Sequence, residues 1–338
     1  MSEYRQDPLS RRWVIIGCED RAGRPNEFVE RTTRDNQVAC PFCEGNEAET
    51  PPSVASYGNG RGAKWLVRVV PNKFPAVTNE VVPCATCQPL ALTPVPATVP
   101  GFGCHEVIIE SPRHVASLSE LTGNEVELVF RAYRERILYL KADGRYRYVQ
   151  IFKNVGPAAG ASLEHLHSQL LALPGVPEVV AQELTSCDEY FRENRRSLIS
   201  DLIEREQAAG TRMVAQTDRF LAFCPYASRF PYEVWIAPRR QASRFELAKD
   251  GELGELAGLA REVVSRIECA AGKIAYNYFL HTRPFDTPAE DHYHWHIEII
   301  PRLTKVAGFE WSTGCFINPY PPESAAAHLR ACFAAGCQ

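Results

Sequence analysis

The sequence lacks the features typical of a membrane protein or of a nucleic-acid-binding protein. No apolar run approaches the length needed to cross a bilayer. The formal net charge of the 338 residues is only −4, which gives no general attraction to nucleic acids or acidic membranes. Residues Met1 to Arg5 have no apolar core, so we expect no signal peptide. An anionic substrate would therefore have to be held by local Arg and Lys side chains.

Regular cysteine spacing is also absent, although the chain contains 12 cysteines. Irregular spacing without a secretory signal favours a reduced, cytoplasmic protein in which a few cysteines bind metal and the others are buried or incidental. The length allows about two domains of ordinary size. An apolar fraction of 45% fits a protein with a hydrophobic core.

The chain repeats itself weakly at a nearly constant offset. The segments that resemble each other are 106–117 and 233–243, 148–152 and 276–280, and 165–167 and 294–296. Their offsets are 127, 128 and 129 residues, which indicates two copies of one unit. Each copy reads as strand, helix, strand, strand. The sequence therefore predicts an α+β protein with mixed sheets.

The predicted helices have the apolar spacing of a single buried stripe. We expect one helix over residues 119–142 and its counterpart over about 247–270. A helical linker, 177–209, would separate an N-terminal unit, 1–176, from a C-terminal unit, 210–338. The remaining expected elements are strands at 12–17 and 65–70, a Pro-rich loop at 83–100 and a short helix at 322–335.

A metal site is predicted from one C-x-x-C motif and two distant histidines. Cys40 and Cys43 supply two ligands, and zinc prefers four. His114 follows a predicted strand, and His165 lies in the His-x-His motif, so the four would form a closed, structural site. We favour metal binding over a redox pair or inert thiols. The second C-x-x-C pair, residues 84–87, has no nearby histidine, although it could bind a metal or oxidise.

The stretch from Glu164 to Gln169 carries the most chemical information in the chain. If it is a strand, alternation places His165, His167 and Gln169 on one face. With His165 held by metal, His167 is free to act as a nucleophile toward an activated phosphoryl group. Gln169 would donate its amide to a phosphate oxygen without adding charge. The alternative is a pair of surface histidines.

Other residues could contribute to a phosphate site. Ser162 and the turn of residues 156–161 could donate hydrogen bonds, and Arg21 and Arg24 offer two guanidinium groups suited to phosphate. An ordinary solvated loop is the alternative for the two arginines. In the second copy Glu298 stands where the first has Gln169, and a carboxylate there would repel phosphate. We therefore expect only the first copy to be catalytic.

These motifs together resemble the galactose-1-phosphate uridylyltransferase family, a branch of the histidine-triad superfamily. The motifs are Cys-x-x-Cys, Ser-Pro-x-His, Asn154-x-Gly, and Gly160-x-Ser-x-x-His-x-His-x-Gln169, in that order. The match runs from Asp7 to Glu310. The resemblance implies two tandem histidine-triad-like units that form a mixed, mainly antiparallel sheet flanked by helices, and a homodimer.

The resemblance also implies an activity in galactose metabolism. UDP-glucose would give UMP to a histidine, and galactose 1-phosphate would then accept it in a ping-pong reaction. The nucleotide sugar and the hexose 1-phosphate would be the partners, with no nucleic acid or membrane. By motif, the catalytic residues would be His167, Gln169 and Ser162. The substrate-binding residues would be Arg21, Arg24, Asn72, Phe74, Asn154, Gly160, Lys305, Phe309 and Glu310.

Departures from the family motif leave alternatives open. Leu166 and Ser168 replace the usual Pro and Gly, and Ser168 also occurs in a plant-type relative that resembles an ADP-glucose phosphorylase and transfers AMP. Some family members hold a second metal, zinc or iron. Here that site would be Glu183, His281, His296 and Glu298, with a satisfied polar core as the alternative.

Functions outside this transferase activity are also open. One is a histidine-triad nucleotide hydrolase or binding protein without a sugar acceptor. Another is a zinc-stabilised interaction protein with no activity, against which the intact His-x-His-x-Gln motif argues.

Overall fold

The computed structural model of the protein describes residues 2–17, 40–58, 64–81, 98–287 and 292–334. Arg21 and Arg24, and the cysteines at 84 and 87, lie outside these described residues. The described strands are β1 Glu3–Gln6, β2 Trp13–Ile16, β3 Ala55–Tyr57, β4 Val67–Pro71, β5 Cys104–Ile109, β6 Tyr148–Val155, β7 His167–Leu173, β8 Met213–Gln216, β9 Phe220–Phe223, β10 Val234–Pro238, β11 Tyr276–His281, β12 His296–Pro301 and β13 Phe316–Asn318. The described helices are α1 Gly123–Asp143, α2 Glu178–Asn194, α3 Leu198–Ala209, α4 Asp250–Ala271, α5 Gly308–Thr313 and α6 Pro322–Ala334.

The main sheet carries the duplication in its strand order. Ten strands pair in the order β3-β4-β5-β7-β6-β11-β12-β10-β9-β8. Counted inward from the two opposite edges of the sheet, β5 matches β10, β7 matches β12 and β6 matches β11. The two halves join where β6 pairs antiparallel with β11. Tandem units in one sheet confirm the predicted α+β fold class.

The parallel pairing lies outside the main sheet. Its named strand pairs are all antiparallel. The smaller sheet has the order β1-β2-β13, and β13 runs parallel to β2. The sheets are therefore mixed and mainly antiparallel, as predicted.

The core lies between the main sheet and the two helices of the repeat, α1 and α4. The predicted apolar stripes of both helices are buried in a single cluster with side chains of the central strands. Full burial of one such Val or Leu side chain contributes about 1.5–3 kcal/mol. The stripe residues are Val126, Val129, Tyr133, Ile137 and Leu140 in α1, and Leu253, Leu256, Leu259 and Val263 in α4.

Some predicted boundaries differ from the structure for local reasons. Helix α1 begins at Gly123, not Ser119, because Thr122 and Glu125 form a reciprocal capping box. Residues 118–120 before it form a short 3-10 turn. Likewise α4 begins at Asp250, after another 3-10 turn at residues 245–247.

The predicted linker contains the two helices α2 and α3. The unit boundaries 1–176 and 210–338 stay predictions, because one sheet runs through both units. Among the described helices, none is long and apolar enough to cross a membrane. Cys269 is disulfide-bonded, whereas the other described cysteines are free, so the predicted reduced state does not hold at this residue.

Candidate active site

The strand pair β5–β7 places the predicted nucleophile and its amide neighbour side by side. His167 lies opposite Ile109, and Gln169 lies opposite Val107. Val107 and Ile109 pack with Phe42 in a small cluster separate from the main core. The site residues therefore occupy the sheet face away from α1. His165 precedes β7, so the predicted alternation of three side chains holds only for His167 and Gln169.

The protonation state of His167 follows from one hydrogen bond. Its Nδ1 lies 2.7 Å from the backbone oxygen of His165. A carbonyl oxygen only accepts, so the proton is on Nδ1 and the lone pair is on Nε2. The side chain is 6% exposed, and burial lowers the pKa of His167 below its ordinary value. His167 is thus a neutral imidazole with a nucleophilic nitrogen.

An aromatic side chain from the cysteine loop supports both histidines. The ring of Phe42 lies edge-on to His167, with centroids 5.3 Å apart, and edge-on to His165 at 6.0 Å. The sequence reasoning missed Phe42. Its only signal was its place between Cys40 and Cys43.

The predicted Cys2His2 residues come together as a group that could hold a metal ion. One ligand atom from each of Cys40, Cys43, His114 and His165 lies within 4.8 Å of every other. The Sγ of Cys43 is 3.4 Å from His114 Nδ1 and 3.5 Å from His165 Nδ1. Two thiols and two imidazoles in this arrangement match the donor set of a closed tetrahedral zinc site.

The protonation of these ligands also fits a cation. The Nε2 of His165 donates to the oxygen of Ser111 at 2.8 Å, which leaves the Nδ1 lone pair facing the thiols. Burial lowers the pKa of His165 to about 4, which keeps the imidazole neutral. Burial and the neighbouring Cys40 raise the pKa of Cys43 to about 11. A bound dication would offset that cost of ionising two adjacent thiols.

Asn72, which is predicted to bind the nucleotide, is connected to Gln169 by the side chain of His105, which contacts both. His105 Nε2 is 2.8 Å from Gln169 Oε1 and 3.0 Å from Asn72 Nδ2. Phe74, also predicted to bind the nucleotide, is 83% exposed, and its backbone N–H donates to Asn72 Oδ1 at 2.9 Å. The sequence analysis did not identify His105, because it stands one residue before the repeated segment 106–117.

The turn before β7 is tied to the neighbouring copy. Asn277 donates from Nδ2 to both Asn154 Oδ1 and the oxygen of Ala159, at 2.9 Å each. Gly160 has φ +87°, which favours glycine, and a Cβ there would lie 3.8 Å from Asn154 Nδ2. Ser162 follows in the same turn and is exposed. Asn277 was missed, although the repeat alignment pairs its strand with that of Asn154.

Ser168, the departure from the family motif, faces the opposite side of the sheet from His167. Its hydroxyl donates to Glu110 and contacts the hydroxyl of Tyr133. Lys153 forms an ion pair with Glu110, and all four side chains are buried. Burial lowers the pKa of Lys153 below its ordinary value. This network stabilises the back of the nucleophile strand and does not line the site.

The second copy repeats the histidine geometry. The Nδ1 of His296 donates to the oxygen of His294 at 3.2 Å, as His167 does to His165. His294 in turn donates from Nε2 to the backbone oxygens of Pro238 and Arg240. The second copy therefore keeps this contact between histidine and backbone, although Glu298 stands in place of Gln169.

A second buried group that could hold a metal ion lies in this copy. Glu183, His281, His296 and Glu298 each place one ligand atom within 4.8 Å of the others. The buried Nε2 of His296 has no hydrogen-bond partner among the described residues, and a carboxylate oxygen of Glu298 lies 3.4 Å from it. Although burial alone would lower the pKa of His296, Glu298 and Glu183 raise it. The group attracts positive charge.

Glu298 also has a partner outside this group. It forms an ion pair with Arg229, which in turn contacts Glu233. Burial opposes ionisation, but Arg229 lowers the pKa of Glu298 below its ordinary range. Glu298 is therefore a carboxylate at neutral pH, a form unsuited to contact with a phosphate.

The predicted hexose residues form a separate surface segment. Lys305 is exposed, and Phe309 and Glu310 lie in α5, which packs beside β13. Glu310 accepts a hydrogen bond from the Ala307 N–H at 3.0 Å, within its own turn. No described contact joins Phe309 or Glu310 to His167, so their role in the site stays a prediction.

The fold and the site define a protein of the histidine-triad class. The family model described as galactose-1-phosphate uridyl transferase, N-terminal domain, matches residues 1–177. A model described as a domain of unknown function matches residues 103–333. The chain belongs to the galactose-1-phosphate uridyl transferase family, as the sequence motifs indicated.

Similar proteins come from both branches considered above. An ADP-glucose phosphorylase of Arabidopsis thaliana is 34% identical over 97% of this chain and 92% of its own. A galactose-1-phosphate uridylyltransferase of Thermotoga maritima is 27% identical over 98% of each chain. The crystal structure of an Arabidopsis ADP-glucose phosphorylase with bound ADP-glucose has a TM-score of 0.82 and 32% identity, and the match covers 98% of this chain and 99% of that one.

Proposed function

We propose that this protein is a nucleotidyltransferase that moves UMP from UDP-glucose to galactose 1-phosphate through a covalent nucleotidyl-His167. The observation that carries the proposal is the His167 imidazole, buried, neutral and held by its Nδ1–H so that Nε2 is the free nucleophile. Membership of the family and full-length similarity to named uridylyltransferases support it.

The chemistry needs two displacements at one phosphorus atom. His167 Nε2 attacks the α-phosphorus of the donor, an N–P bond forms, and the P–O bond to the hexose 1-phosphate breaks. A phosphate oxygen of the acceptor then attacks the same phosphorus and releases His167. The Nδ1 proton stays on the ring, and the His165 carbonyl oxygen that accepts its hydrogen bond stabilises the positive charge that develops there.

Gln169 and Ser162, together with Arg21 and Arg24, would hold the transferred phosphoryl group. Gln169 shares the sheet face of His167, and Ser162 is exposed in the turn that leads into β7. Asn72, Phe74, Asn154 and Gly160 would bind the nucleotide, and Lys305, Phe309 and Glu310 the hexose, as their motif positions imply. The segment 305–310 would serve the same protomer or the other one of a homodimer.

We further infer that zinc binds Cys40, Cys43, His114 and His165, because two thiolates and two imidazoles prefer zinc. The ion would supply a structural link between the cysteine loop and the chain entering β7. A second metal, zinc or iron, would bind the group that contains His296, whose buried Nε2 lacks a partner among the described residues. The homodimer and the cytoplasmic location stay predictions of the sequence.

A second candidate function is AMP transfer from ADP-glucose. It is favoured by the 34% identity to an ADP-glucose phosphorylase and by the 0.82 TM-score of the structure with bound ADP-glucose. The two candidates share the nucleophile and a covalent nucleotidyl-histidine, and they differ in the base that the donor carries.

One labelling experiment tests the mechanism and the donor together. The protein is incubated separately with UDP-glucose and ADP-glucose, each labelled at the α-phosphate, and quenched at successive times. We expect an acid-labile, base-stable label on the protein, formed faster from UDP-glucose. Faster labelling from ADP-glucose would assign the second candidate. Absence of label from both donors, with the protein folded and metal-loaded, would refute a covalent histidine.

A further inference from the structure

His105 has a place in the site that its sequence position did not reveal. It lies in β5, two residues before Val107, and therefore shares the sheet face of His167 and Gln169. Its Nε2 is 2.8 Å from Gln169 Oε1. Its Nδ1 is 3.1 Å from the backbone nitrogen of Ala76. The ring thus bridges the loop after β4 and the amide side chain beside the nucleophile.

The backbone contact decides which ring nitrogen of His105 carries the proton. The Ala76 N–H can only donate, so Nδ1 accepts and has no proton. A neutral imidazole then carries its proton on Nε2, which must donate. The side-chain oxygen of Asn72 accepts from the Phe74 N–H, so the amide nitrogen of Asn72 is the atom that lies 3.0 Å from His105 Nε2. That nitrogen is a donor and cannot accept the Nε2 proton. The acceptor is therefore the Gln169 oxygen.

We propose that His105 is a positioning residue that holds the Gln169 carbonyl oxygen, so that the Gln169 amide N–H groups face the phosphoryl group transferred to His167. The proposal rests on the function proposed above. The two ends of a glutamine amide have nearly the same shape, and only the nitrogen end attracts a phosphate oxygen. Without His105, Gln169 would turn freely, and one of its orientations would place an oxygen against the phosphate.

The surroundings of His105 keep it in the form that this role needs. The ring is half-buried, and burial lowers its pKa below the ordinary value, so the neutral form dominates at neutral pH. A charged ring would lose the hydrogen bond from Ala76, since both ring nitrogens would then be donors. The same contact fixes the ring and its tautomer.

Two substitutions separate positioning from folding. His105→Phe keeps the ring shape and removes the donor, and His105→Gln restores an N–H near the position of Nε2. We expect His105→Phe to slow the single-turnover labelling of His167 by at least roughly tenfold with little change in donor binding, and His105→Gln to recover most of the loss. His328→Phe, which removes another partly buried histidine, from α6, is the matched control.

A double-mutant cycle identifies the group through which His105 acts. In a Gln169→Ala background, His105→Phe should slow labelling no further, because the amide that it positions is gone. Equal slowing in both backgrounds would assign His105 a general structural role and overturn the proposal. No slowing by His105→Phe in the parent protein would overturn it as well.

A measurement on the protein without substrate keeps this test independent of the proposed activity. Nitrogen-15 NMR of labelled histidine, assigned with His105→Phe, should show His105 protonated on Nε2. Protonation on Nδ1 would overturn the proposed orientation of Gln169. If the parent protein forms no covalent nucleotide while His105 is protonated on Nε2, the transferase function is refuted and the proposed geometry of His105 and Gln169 still holds.

Discussion

His167 donates its Nδ1 proton to the backbone oxygen of His165, 2.7 Å away, while His165 turns its own Nδ1 toward Cys40 and Cys43. One short segment thus links the proposed nucleophile, His167, to the group that could hold a metal ion. His165 presents its ring to Cys40 and Cys43 and its carbonyl oxygen to His167, so loss of an ion bound by that group would also disturb the orientation of His167.

His167→Asn tests the nucleophile. We expect no covalent nucleotide and a fall in turnover on the order of 10⁴-fold or more, because the nitrogen that attacks the phosphorus is gone while the binding contacts remain. Labelling and steady-state rates measure it, with His328→Asn as the control. Label retained by the His167 variant would place the nucleophile elsewhere.

Cys40→Ser tests the first metal group. The variant should lose one equivalent of bound metal and more than about 4 kcal/mol of unfolding free energy, because a structural ion is lost. Elemental analysis and denaturant unfolding measure both. Cys332→Ser, which changes a partly buried free thiol in α6, should alter neither. Metal content that is unchanged in Cys40→Ser contradicts the site.

His281→Ala tests the second metal group. His281 Nδ1 lies 2.9 Å from Glu183 Oε1 inside the buried group, so its removal takes away one candidate ligand and one hydrogen-bond partner of Glu183. We expect the parent protein to hold two equivalents of metal and this variant one. A parent protein with one equivalent that His281→Ala retains would mean that the group is a hydrogen-bonded polar core.

Ser168→Gly tests the role of the departure from the family motif. Loss of the Ser168 hydroxyl should lower the unfolding free energy by about 1–3 kcal/mol, because Glu110 and Tyr133 lose a buried hydrogen-bond partner. Ser168→Ala, which removes only the hydroxyl, controls for the added backbone freedom of glycine. The ratio of kcat/KM for UDP-glucose and ADP-glucose should not change, since Ser168 faces away from the site. A changed ratio would contradict this assignment.

His294 should make stability depend on pH. Burial lowers the pKa of His294 to about 4 from an ordinary value of 6.5. Between these values the unfolded chain binds the extra proton, so stability is full above pH 6.5 and falls as pH drops toward 4, by up to about 3 kcal/mol. Denaturant unfolding across this range should show a smaller fall in His294→Asn. Equal slopes in the two proteins would contradict the buried neutral state.

The duplication, the helical stripes and the grouping of two cysteines with two histidines could be predicted from the sequence, because each leaves a local or periodic signal. The constant offset near 128 residues anticipated a sheet whose strand order is symmetric about the β6–β11 pair. Cysteine and histidine are rare and chemically distinct, so Cys40, Cys43, His114 and His165 could be grouped before their side chains were known to meet.

The side chains that surround His167 could be identified only from the folded structure. His105, Phe42 and Asn277 are ordinary residues in the sequence, and their roles arise from strand register and loop packing between distant segments. Strand alternation already placed Ser168 on the opposite face, but its partner there, Glu110, became known only from the structure. Periodicity along one strand assigns a side chain to a face, but hydrogen-bond partners across the sheet depend on register, which no local pattern specifies.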